Sequence, residues 1–97
     1  MLDFIFLMHN DARQAVSDGD WEAYIGRLRS VGAFQGGSAI GAGVCARKNG
    51  HLPPINAHIN GYICIVADDF AHAQTLLVGN PDYEAGGTVE IRALPRT

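Results

Sequence analysis

Apolar residues run almost without interruption from Leu2 to Met8. That is the pattern of a strand covered on both faces, and so of a central one. His9-Asn10-Asp11 ends the run, and a polar loop follows to about Ser17. Trp21, Tyr24, Ile25, Leu28 and Val31 then recur at spacings of three and four, which puts them on one face of a helix over roughly 20–31. Ser17, Asp18 or Asp20 supplies its N-cap, and Gly32 its stop. After a break at Gly36-Gly37, alternation over 38–47 (Ile40, Ala42, Val44, Ala46) predicts a second strand, weakened by Gly41 and Gly43. A turn-rich loop around Pro53-Pro54 leads to a third strand over 61–67, rich in β-formers. Asp68-Asp69 caps a second helix whose apolar stripe is Phe70, Ala73, Leu76 and Leu77; Gly79 and Pro81 stop it. A loop over 80–87 precedes a last strand over 88–94, in which apolar and polar residues alternate strictly before Pro95.

The order β-α-β-β-α-β is the split arrangement of an α+β, ferredoxin-like fold: a four-stranded antiparallel sheet with both helices on one face. Right-handed crossovers give the spatial order 4-1-3-2, with the first strand in the interior. Two helices cover one sheet face only, yet the first and third strands are apolar on both. An exposed patch of that kind marks an interface. The expectation is a homodimer with sheets packed face to face, closing a dimeric α/β barrel.

Composition narrows the partners. The chain has 97 residues, 47% hydrophobic and 18% charged, enough for one domain over 1–97. Ten acids against seven bases leave a net charge of −3, which argues against nucleic acid and anionic membrane surfaces. The apolar start is too short to span a bilayer and lacks the features of a signal peptide, so a cytoplasmic protein with reduced thiols is expected.

His9 is the leading titratable candidate, because histidine exchanges protons near neutrality and this one closes the central strand with Asp11 two positions on. The plainer reading is a solvated loop histidine with Asp11 as turn former. Glu90 and Arg92 share one face of the last strand, away from Val89 and Ile91. Arg92 suits an anionic ligand group, or the two form an ion pair at the interface. Tyr62 and Trp21 are candidate pocket aromatics with core packing as the default. His51, His58 and His72 show no ligand spacing, so no metal and no other cofactor is expected. A hairpin centred on Pro54-Ile55 places Cys45 opposite Cys64 as a redox pair, against the plainer reading of two small buried hydrophobes.

The C-terminal half resembles the YCII-related family. The resemblance rests on Gly61-Tyr62-Ile63-Cys64-Ile65-Val66-Ala67-Asp68, on 71–77, on Pro81, and on Gly86-Gly87-Thr88-Val89-Glu90-Ile91-Arg92-Ala93-Leu94-Pro95. In the first half it rests on the apolar first strand and on 28–37. The resemblance implies a dimeric α/β barrel of bacterial origin with a cleft between sheet and loops. One branch of the family dehalogenates a chlorinated hydroxyhydroquinone with a His–Asp pair. This chain lacks a second branch's Asp-Gly-Pro-Phe motif, reading Leu52-Pro53-Pro54-Ile55-Asn56 before the Gly-Tyr strand, and its first helix has no histidine. The expected function is binding of a small aromatic or anionic organic molecule in the dimer cleft. If catalytic, the chain is a lyase- or isomerase-type enzyme with His9 and Asp11 in catalysis and Tyr62, Arg92, Trp21 and Glu90 binding substrate. The alternative is a non-catalytic ligand-sensing or protein-interaction module.

Overall fold

In the computed structural model, which describes residues 1–96, the chain runs β1 (Leu2–His9), α1 (Asp18–Ser30), β2 (Phe34–Ala39), β3 (Ile59–Ala67), α2 (Phe70–Thr75), α3 (Pro81–Glu84) and β4 (Val89–Leu94). The four strands form one antiparallel sheet in the order β2-β3-β1-β4. The architecture is α+β and compatible with a ferredoxin-like fold. β1 is flanked by β3 and β4, which explains its near-continuous hydrophobicity.

Burial along β1 and β3 has period two. Phe4, Phe6 and Met8 of β1 are buried while Ile5, Leu7 and His9 are half-buried. In β3, Gly61, Ile63, Ile65 and Ala67 are buried while Tyr62, Cys64 and Val66 are half-buried. The buried set meets Tyr24 and Leu28 of α1, Ala73 of α2, and Leu77, with Val89 and Ile91 of β4 packed at its edge. Each such large side chain contributes roughly 1.5–3 kcal/mol by leaving water. The half-buried set defines a second sheet face that belongs to no part of this core.

Local chemistry sets the element ends. Ser17 caps α1 in a capping box: its Oγ accepts from the Asp20 amide at 3.2 Å, and Asp20 Oδ2 accepts from the Ser17 amide at 3.1 Å. Gly32 follows at φ 74°, where a side chain would be strained. Val31, placed on the apolar helix face by periodicity, is the C-cap residue and 68% exposed. Asp69 caps α2 through its Oδ1, which accepts from the His72 amide at 2.8 Å.

Three expectations are corrected. The second strand occupies Phe34–Ala39 and not 38–47, so Gly36-Gly37 lies inside it. Gly36, at φ 129°, sits at a register shift in the β2–β3 pairing. Gly37 is where β2 comes so close to β3 that a Cβ would stand 2.6 Å from the Tyr62 carbonyl oxygen. Beyond Ala39 the alternating residues find no covering layer; Val44 is 92% exposed, and 40–58 is irregular. The proposed cysteine pair goes with it, because Cys64 faces Gly36 across the ladder while Cys45 lies in the irregular segment. The loop at 80–87 also holds a turn of helix, α3, capped by Asn80 and opened by Pro81.

No helix among the described residues is long and apolar enough to cross a membrane.

Candidate functional site

The most organised polar group lies on the half-buried sheet face, at the end of β1. Pairing of β1 with β4 sets Leu7 opposite Glu90 and Ile5 opposite Arg92. His9 is therefore the diagonal neighbour of Glu90 on the same face, within reach of a long side chain. Its Nε2 lies 3.0 Å from Glu90 Oε1. The other carboxylate oxygen, Oε2, accepts from the Arg92 guanidinium at 3.1 Å. Arg92 above all, and His9 next, hold the Glu90 carboxyl below its ordinary pKa. Glu90 is thus ionised and an acceptor only, so the proton between it and the imidazole resides on Nε2. Tyr62 pairs with Leu7 from the other side, which puts it two strand spacings, about 10 Å, from Glu90 on the same face.

Asp11 does not join this chain. Its Oδ1 accepts from the Thr88 amide at 2.7 Å and its Oδ2 from the Thr88 hydroxyl at 2.7 Å. These bonds, the amide first, lower its pKa. Asp11 thereby ties the loop after β1 to the approach of β4, beside the bond from the His9 amide to the Thr88 carbonyl at 2.9 Å.

Trp21 lies on the opposite side of the sheet. It meets the ring of Tyr24 edge-on at 6.2 Å and lines a cavity of about 360 Å³ between α1 and the ends of β2 and β3. The structure thus gathers His9, Glu90 and Arg92 on one face and sets Trp21 on the other, with Asp11 in the connecting loop; Tyr62, half-buried with the His9 face, also borders the cavity lined by Trp21.

The same cavity is lined by two residues that sequence reasoning missed, Asn60 and Asp82. Asp82 is 7% exposed. Burial raises its pKa, and the neighbouring Asn60 side chain partly offsets that effect. Nothing in the local sequence signals this, since an acid after a proline in a presumed loop looks like a turn residue.

Among the described residues no three His, Cys, Asp or Glu side chains come together as a metal site. His51 and His58 are exposed. His72 is spoken for locally, its Nδ1 accepting from the Asp68 amide at 3.0 Å. No protein-family model matches the chain, and no curated protein sequence matches it.

Proposed function

We propose that the chain is a YCII-like subunit of ferredoxin-like fold that pairs through its half-buried sheet face into a dimeric α/β barrel. In that reading the cleft binds a small anionic or aromatic organic molecule, and His9 acts on it as acid and base. The observation that carries the reading is the chain from His9 through Glu90 to Arg92. A base oriented by a carboxylate that is itself held by a third group is an arrangement that suits general acid–base chemistry. With Nε2 committed to Glu90, Nδ1 is the ring nitrogen that takes a proton from one atom of the ligand and returns it to another, as in an isomerisation or an elimination. Arg92 is 68% exposed along its side chain and spends one nitrogen on Glu90; the rest of its fork suits an anionic ligand group. Ile5, Leu7, Tyr62, Cys64 and Val66 supply an apolar surface for the partner subunit and for an aromatic body.

The test is turnover on a panel of hydroxylated aromatics and lactones by wild type and by His9→Ala. A loss of roughly 100-fold or more is the size expected for removal of a general base. Unchanged turnover removes His9 from catalysis. Saturable binding of a panel member without turnover assigns the cleft to ligand sensing instead.

A further inference from the structure

The cavity under α1 has a character opposite to that of the His9 face. Its volume of about 360 Å³ is in the range of small-molecule sites. Trp21, Ile25, Met8 and Ile63 give it apolar walls, and Gly37 and Gly61 keep its strand side low. Its charged lining consists of Asp18 and Asp82, with no Lys, Arg or His among the described lining residues. Asp18 is exposed and Asp82 is buried, so one carboxylate stands at the rim and one in the wall. A carboxylate taken out of water into an apolar chamber is unfavourable until a positive partner or strong donors meet it. The field inside such low-dielectric walls attracts cations, and Trp21 supplies an aromatic wall for an apolar body.

We propose that this cavity is a binding site for a small organic ammonium ion with an aromatic or branched apolar body, its ammonium group on Asp82 and its body against Trp21. The site lies across the sheet from His9 and selects the opposite charge; of the residues used in the reading given above it borders only Tyr62, and it is tested separately from that reading.

Trp21 is the chain's single tryptophan, so its emission reports on this cavity alone. The experiment titrates the intact protein with 2-phenylethylamine, 2-phenylethanol and 3-phenylpropanoate, which share one apolar body and differ in charge. The amine is expected to change Trp21 emission saturably and to bind about tenfold or more tightly than the alcohol, with the carboxylate weaker still. In Asp82→Asn, which keeps the volume and removes the charge, amine and alcohol are expected to bind within about twofold of each other. Equal affinity for amine and alcohol in the wild type overturns the proposal, as does tighter binding of the carboxylate. An amine that binds by calorimetry while leaving Trp21 emission unmoved overturns it too. The three-probe comparison on wild type decides the matter even if the variant does not fold.

Discussion

His9 and Glu90, 81 positions apart in the chain, meet at 3.0 Å because β1 and β4 are neighbours in the sheet. The pair and Arg92 set a defined acid response. Glu90 is expected to titrate below its ordinary value of 4.5. A carboxyl whose pKa is lower folded than unfolded adds stability above the unfolded value, and loses it as pH falls through the folded one. Carboxyl-carbon NMR titration should show Arg92→Ala moving Glu90 up the most and His9→Ala moving it less. A Glu90 that stays put in Arg92→Ala contradicts the arrangement.

Tyr24 gives the complementary alkaline response. Its hydroxyl donates to the Leu76 carbonyl at 2.7 Å and the residue is 1% exposed. Burial pushes its pKa from 10.0 to about 12. The folded state keeps this proton where the unfolded chain has lost it, so the contribution is intact below pH 10 and fades as pH rises toward 12. Ultraviolet titration should show one of the three tyrosines ionising last. Tyr24→Phe should cost about 1–3 kcal/mol in urea unfolding at pH 7, since it orphans the Leu76 carbonyl.

Gly37 tests the close contact of β2 with β3. A Cβ there meets the Tyr62 carbonyl oxygen at 2.6 Å and the Ile63 Cα at 3.1 Å, backbone atoms that cannot swing aside. Gly37→Ala should destabilise by about 1–3 kcal/mol, the usual cost of overpacking. Gly41→Ala is the control, since nothing stands within 4 Å of its Cβ position. Equal urea midpoints for the two variants would count against the strand placement.

Ile5→Lys tests the sheet face. Ile5 is half-buried and lies between Cys64 and Arg92, so a lysine there adds a positive charge beside the guanidinium without entering the helix-side core. Sedimentation is expected to give twice the chain mass of 10.4 kDa for wild type and the single mass for the variant, both folded. A monomeric wild type at micromolar concentration ends the face-to-face proposal.

Three of the four strands were legible from sequence. β1, β3 and β4 fall within two residues of where a near-continuous apolar run, a stretch of β-formers and strict alternation put them, because interior strands need apolar residues on both faces and a strand with one packed face alternates in sequence. β2 was not legible. Its middle is Gly36-Gly37, which by composition signals a break, and only the bulge and the close approach to β3 explain glycine there. His9 and Glu90 each stood out separately, His9 for its titration and Glu90 for its face. Their contact depends on the β1–β4 register, which no local pattern carries. Asp82 was hidden because burial by α1 and the strand ends is a tertiary property.

The irregular segment 40–58 leaves the sheet after Ala39 and re-enters beside it, where Ala39 pairs with Gly61 and the Ile40 amide reaches the Asn60 carbonyl at 2.9 Å. The excursion is therefore anchored at one ladder rung, Ala39 with Gly61, about 5 Å across. Because the entropy of closing a loop grows only logarithmically, doubling its length costs about 0.6 kcal/mol. The scaffold is thus open to grafting: a foreign peptide or small domain spliced into this excursion hangs from the sheet edge, with His9 at one strand end and the ammonium cavity under α1 left in place.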